Sequence, residues 1–357
     1  MIVPNLPKIV IDTDRIAAAT TIISTQVITP TIRWKTYPQN VTEGTLGILF
    51  ALSGIPEASK IWKKDVTEAF NDPRFFCASS LGLAEQGWLP ILRQWTLIDK
   101  DRMPEYLSRL STPTSAGIMF GVGASSARLE ADRKTQLNLR RMATLILAAA
   151  GDAFVVNVSG IQEKVVEILT ATAASSPSSI TRAEVFMLLR ALILKTSMVH
   201  LASFWPIVSS ELYDAISSLL PDHDNHTYNA YSVVQACKLL DMLLTTAPDD
   251  FQLCEWLFIT DTIDAVYRPA TWTPAALIDR LAEDLGSKAQ VRPGARPSLA
   301  STHAKDMSKD DLVSSLLPYL RQLSINSFES TYRMEAPDWK GCYDDLLVDL
   351  FDDSALV

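Results

Sequence analysis

Apolar residues in this chain recur every three to four positions over long stretches, and they rarely alternate. That spacing builds one-sided helices, not strands. It predicts helices over 13–28, 42–53, 55–70, 83–98, 103–111, 127–150, 152–172, 229–246, 249–260, 274–286 and 308–328. In the 55–70 helix, Ile61, Trp62, Val66, Ala69 and Phe70 share a face, while Lys60, Lys63 and Lys64 fall mostly elsewhere. Asn71-Asp72-Pro73 stops it, and Phe75 and Phe76 follow as core plugs. Trp88, Leu92 and Trp95 form the stripe of the 83–98 helix.

The longest strongly apolar stretch is 181–220, with a single proline, Pro206, near its middle. Thr181 and Glu184 have capping-box spacing, and Ile180 and Val185 flank them as a hydrophobic staple. Pro206 has no N–H and would clash with the carbonyl of Ala202. The stretch therefore reads as two helices, 181–203 and 206–220, with Phe204-Trp205-Pro206 as a buried packing hinge. Arg190, Lys195 and His200 interrupt the apolar run, so a core helix fits better than a membrane span. The two cations should lie toward its edges or find partners, and His200 should be a hydrogen-bonded core histidine.

Between the helices lie a glycine-bearing loop at 112–126, a short linker at 174–179 and a polar loop at 222–229. Residues 286–307 carry prolines and charges with no apolar period, and read as a flexible linker. Successive helices on short loops imply an all-α fold, an α-solenoid of degenerate HEAT- or armadillo-like pairs near 40 residues each. A compact all-α bundle is the alternative. The domain reading is a helical array over 1–285, the linker at 286–307, and a terminal helix and acidic tail over 308–357 that packs on the array. The apolar, proline-bearing start reads as an internal boundary of a longer chain, not as a signal peptide.

Composition supports helices: 48% of the 357 residues are apolar and only 13 are glycine. A net charge of −9 argues against a nucleic-acid binder. The charge is uneven, however. Residues 58–150 hold thirteen basic against nine acidic side chains, whereas 222–284 hold three against eleven. Lys60, Lys63, Lys64, Arg128, Arg133, Lys134, Arg140 and Arg141 are thereby candidates to meet anionic lipid headgroups. In the tail, Leu346, Leu347, Leu350 and Phe351 make one apolar edge among acids, to fold back as a cap or dock on a partner.

Candidate chemistry is sparse. The loop Asp222-His223-Asp224-Asn225-His226 is the densest set of potential metal ligands, but no third ligand completes zinc spacing, and it reads as a solvated loop. Cys77, Cys237, Cys254 and Cys342 lie far apart without CxxC pairing and read as buried thiols in a reducing compartment. Gly117, Gly121 and Gly123 are not followed by the GK[ST] of a phosphate loop. No catalytic residue, metal site or cofactor is expected.

Five segments in order carry a family likeness: WKKDVTEAFNDPRFF at 62–76, LRRMATLIL at 139–147, HLASFWPIVSSEL at 200–212, ACKLLDMLL at 236–244 and FQLCEWLFITD at 251–261. Together they resemble the C-terminal region of the Dopey family of large eukaryotic trafficking proteins, well over 60–261 and weakly at the flanks. These are packing motifs, not a site. The resemblance implies a non-enzymatic scaffold, peripheral on the cytoplasmic face of Golgi and endosomal membranes and acting in endosome-to-Golgi transport. It also implies an Arf-exchange-factor-like Golgi scaffold and a phospholipid flippase ATPase as partners, with a phosphoinositide surface as a further contact. A purely structural or homodimerising helical module, with no lipid site of its own, is the alternative.

Overall fold

The protein was described from a computed structural model that covers 3–10, 12–33, 35–110, 124–170, 178–220, 227–246, 249–259, 276–286, 299, 307–332, 336–354 and 356. Of the expected 112–126 loop, residues 112–123 lie outside the described residues, and 124–126 are not loop but the start of a helix; the 222–226 loop with His223 and His226, the first residues of the expected 274–286 helix and nearly all of the 286–307 linker also lie outside.

The fold is all-α and built as a solenoid. Its helices are α1 (Thr13–Ile23), α2 (Glu43–Ser53), α3 (Ser59–Asn71), α4 (Leu89–Ile98), α5 (Arg102–Ser108), α6 (Ala124–Ala148) and α7 (Val158–Leu169). They continue as α8 (Ser179–Lys195), α9 (Trp205–Ser217), α10 (Ala230–Thr246), α11 (Asp249–Glu255), α12 (Leu277–Gly286), α13 (Lys309–Tyr332) and α14 (Trp339–Leu350). Neighbour packs on neighbour along a line: α4 on α6, α6 on α8, α8 on α10, α10 on α13 and α13 on α12. The last helix, α14, returns to lie on α8 in the middle of that line.

Sequence dictates which helices sit inside. Every residue of α8 from Ile180 to Ile193 is buried, as expected of a helix apolar on all sides. The second half of α6, from Thr135 onward, is equally enclosed. On α3, Trp62, Val66, Ala69 and Phe70 face inward while Lys60 and Lys64 stay in solvent. On the inner side of α3, Asp65 is buried and accepts hydrogen bonds from Ser24, on a turn of π geometry that continues α1, and from Thr29, the residue just after that turn. Phe75 and Phe76 are fully buried and meet Phe351 of the tail at 5.7 and 5.9 Å between ring centres.

The 181–220 stretch departs from expectation in three ways. Its first helix ends at Lys195, well before Pro206. There Asp152, in left-handed conformation at φ 60°, donates its N–H to the Lys195 carbonyl at 2.8 Å. The Asp152 carboxylate in turn accepts from the backbone N–H of Ser197 at 2.7 Å. This reciprocal bracket satisfies the helix end, where free carbonyls accumulate. Second, the cap is Ser178, whose Oγ accepts from the N–H of Thr181 at 3.3 Å, and Glu184 is used elsewhere. Third, His200 is exposed rather than in the core. Pro206 occupies the first turn of α9, where no donor is needed. Trp205 is buried beside it, its indole N–H donating to Asp250 at 3.2 Å.

Candidate functional site

An enclosed helix carrying charge must pair it, because an unpaired buried ion is costly. On α8 the three buried charges are Arg182, Glu184 and Arg190, and each has a partner on another helix. Arg182 pairs with Glu211 of α9, which also accepts from the Tyr228 hydroxyl at 2.8 Å. Arg140 of α6 forks onto Glu184 and donates to the carbonyls of Leu350 at 3.3 Å and Asp352 at 2.7 Å. Burial opposes the charge on Arg140, but Glu184 more than offsets it, and the guanidinium pKa stands above its usual value.

Arg190 reaches across to Gln235 of α10 at 2.9 Å and to Asp349 of α14 at 2.6 Å, with Asp345 as a further partner. Lys238 of α10 meets the same two acids, at 2.8 Å to Asp349 and 2.9 Å to Asp345. Asp349 is thus a buried carboxylate clasped by two cations. Burial raises its pKa, Arg190 and Lys238 lower it more, and the net direction is down. Leu346, Leu347, Leu350 and Phe351 all turn inward beside the clasp. Of the two roles open to this apolar edge, the fold shows the cap: the chain's own array covers these side chains, and none of the four is presented to a partner.

Asp241 sits next to this clasp without being part of it. Burial lifts its carboxyl to about 6, and the charge of Asp345 adds to the rise. Its contribution to stability is full below the ordinary value of 3.8 and is lost as pH rises through about 6. Asp241→Asn is expected to stabilise the fold by about 1–3 kcal/mol at neutral pH, a gain that shrinks toward zero near pH ~4. Urea midpoints at the two pH values check this.

The eight candidate lipid-contacting cations separate into groups. Arg140 and Arg141 are a correction: both are buried, Arg140 on Glu184 and Arg141 on backbone carbonyls, so neither guanidinium is presented to a membrane surface. Lys60, Lys64, Arg133 and Lys134 are exposed, and Lys63 and Arg128 are half-buried. Lys134 and Arg141 meet, together with Arg109, around a cavity of about 830 Å³ between α3, α5 and α6. Lys60, Lys63 and Lys64 do not line it. The chain segments carried no sign of Arg109, Asn71 and Asn138 as its lining, since they come from three separate helices.

All four cysteines are unbridged, but of the four expected in the interior only Cys237 is buried, and Cys77, Cys254 and Cys342 are half-buried; burial pushes the Cys237 thiol up to about 12, far from a reactive thiolate. Among the described residues no cluster of three His, Cys, Asp or Glu could hold a metal ion. Among them, too, no helix is long and apolar enough to cross a membrane.

A family model described as DOP1 C-terminal matches residues 1–333, well beyond the 60–261 span on which the likeness was first read. The chain is 49% identical over 358 residues to Protein dop1 of Emericella nidulans, covering 97% of this chain and 19% of that protein. It is 26% identical to Protein DOP1 of Saccharomyces cerevisiae over 92% of this chain and 19% of the relative. Protein DOP1B of Mus musculus is 25% identical over 60% of this chain and 10% of its own length. The chain spans about a fifth of the length of the two fungal relatives. No solved structure matches.

Proposed function

On the premise that this chain belongs to the DOP1 C-terminal family, we propose that it is a non-enzymatic scaffold domain in endosome-to-Golgi membrane trafficking. In this reading it works at the cytoplasmic face of Golgi and endosomal membranes. It offers helix faces to an Arf-exchange-factor-like Golgi scaffold and to a phospholipid flippase ATPase. The exposed Lys60 and Lys64, one turn apart on α3, meet anionic phosphoinositide lipid, where each well-placed lysine contributes about 1 kcal/mol. The observation that carries the reading is the 49% identity over 97% of the chain to Protein dop1, of which the match covers 19%; it supports reading this array as one module of a larger scaffold. Scaffolds of stacked helices use their extended faces in this way.

The test is made in the full-length protein. Removing the domain is expected to disperse the protein from Golgi and endosomal membranes and to mis-sort cargo that cycles from endosome to Golgi. Normal sorting of that cargo by the shortened protein, at equal abundance, overturns the reading.

A further inference from the structure

Two apolar residues at the end of α4 have no place in the core. The helix buries Leu89, Ile91, Leu92 and Trp95, but Leu97 is 53% and Ile98 44% exposed. Val156, on the turn that follows α6, is 87% exposed. Single exposed apolar residues are ordinary, so exposure alone identifies nothing here. What sets Leu97 and Val156 apart is that they share one concavity. A pocket of about 190 Å³ lies between the end of α4, the start of α5 and residues 149–157, and Leu97, Pro104, Phe154 and Val156 line it together with three alanines. Its outer wall is braced. Asp152, at φ 60°, is tied to Lys195 and Ser197 by the reciprocal bracket, and the Asn157 N–H donates to the Phe154 carbonyl at 2.8 Å. Val156 is thereby held outward on a fixed turn.

The rim of this pocket is basic. Arg93 and Lys100 are the charged residues of its lining, and no acid is among them. Cations close by have found partners: Arg102 pairs with Asp99 at 2.9 Å and Glu105 at 2.6 Å, and Arg109 with Glu105. Arg93 and Lys100 have no carboxylate partner among the described residues. What bears on Arg93 is another cation, Lys195, whose ammonium donates to the Ala149 carbonyl at 3.2 Å. Burial lowers the Lys195 pKa and Arg93 lowers it further, so positive charge gathers here uncompensated. Asp152 is the acid on the turn, and its carboxylate is taken up by Ser197. An apolar pocket with room for one large side chain, rimmed by uncommitted cations, complements an apolar anchor set between carboxylates. A planar bilayer does not enter such a concavity, and the net charge of −9 opposes an anionic one.

We propose that this pocket docks a short segment of a partner protein that presents one bulky apolar side chain flanked by carboxylates. The apolar side chain fills the space among Leu97, Phe154 and Val156, and the carboxylates meet Arg93 and Lys100. The docking face rests on the scaffold reading for its use in the cell. Its binding test needs neither cargo nor membranes, so each can fail while the other holds.

The test is selection of the whole 357-residue chain against a library of short random peptides displayed on yeast. Recovered peptides are expected to carry a leucine, phenylalanine or tryptophan between aspartates or glutamates. A synthetic copy of one is then titrated by fluorescence anisotropy. Arg93→Glu, Lys100→Glu and Val156→Asp, all at exposed positions that leave the core intact, are each expected to weaken binding at least ~10-fold. Replacing the peptide's apolar residue by alanine should do the same, and the Lys60→Glu/Lys64→Glu pair should change nothing. A library that yields no such pattern overturns the proposal. So does binding indifferent to the apolar residue, which would mean diffuse attraction. Co-sedimentation with phosphatidylserine vesicles that Arg93→Glu abolishes would give the pocket to a membrane instead. Self-association in sedimentation velocity that Val156→Asp abolishes would give it to a second copy, and either result overturns the assignment to a partner.

Discussion

Glu184→Ala is expected to lower the stability of the fold by ~3–5 kcal/mol, among the largest effects of any single substitution in the chain. The reason lies in what the change leaves behind. Arg140 and Glu184 are both fully enclosed, and the guanidinium has no route to water. With the carboxylate gone, the cation keeps only the carbonyls of Leu350 and Asp352, which satisfy hydrogens but not charge. The double variant Arg140→Met/Glu184→Leu removes both charges and is expected to recover most of the loss, since an apolar pair of similar volume commonly matches a buried ion pair. Its residual deficit should reflect those two carbonyls. Denaturant midpoints for the two variants decide the matter. A loss below ~1 kcal/mol for Glu184→Ala would mean that Arg140 finds water or another anion in solution.

Much of this fold was legible in the chain, and most of what was not traces to helices enclosed on every side. Period 3.6 identifies a helix and, where one face is polar, also its orientation. That worked for α3, where Lys60 and Lys64 mark the solvent side and Trp62, Val66 and Phe70 the core. It failed for Arg140 and Arg141, because the surrounding LRRMATLIL is enclosed on every side and has no polar face against which to read direction. Summing charge over 58–150 counted these two with the surface lysines, although their burial could be suspected from the unbroken apolar run after them. The same enclosure explains Glu184. Its capping-box spacing was real, but in a helix without an exposed face a carboxylate is drawn to the nearest buried cation, and Ser178 was left to cap. The break at Lys195 was illegible for another reason: Asp152, which brackets it, lies 43 residues away in sequence. The cavity around Arg141 likewise exists only once α3, α5 and α6 meet.

Asp349→Ala is expected to cost a similar ~3–5 kcal/mol, but as local release of the last helix instead of global unfolding. Among the described residues, Asp349 is the one buried carboxylate that serves two buried cations, Arg190 and Lys238. Its loss leaves both facing Asp345, which is 47% exposed and so screened by solvent. The cheapest escape is for α14 to lift, exposing Arg190 and Lys238 to water at the expense of Leu346, Leu347, Leu350 and Phe351. Hydrogen exchange across 339–350 should then accelerate by about two decades or more while α6 and α8 stay protected, at 1.4 kcal/mol per tenfold. Asp345→Ala is expected to change exchange by less than about fivefold, because half-exposed pairs contribute under ~1 kcal/mol. Acid gives an independent check. The Asp349 pKa is depressed in the fold, so its contribution is complete above the ordinary value of 3.8 and is lost as pH falls through the lower, folded one. The wild-type helix should loosen on that descent, whereas the Asp349→Ala helix, already loose, should show no such step. Matching exchange in the two proteins at neutral pH would place the hold on α14 in its four apolar side chains and not in the clasp.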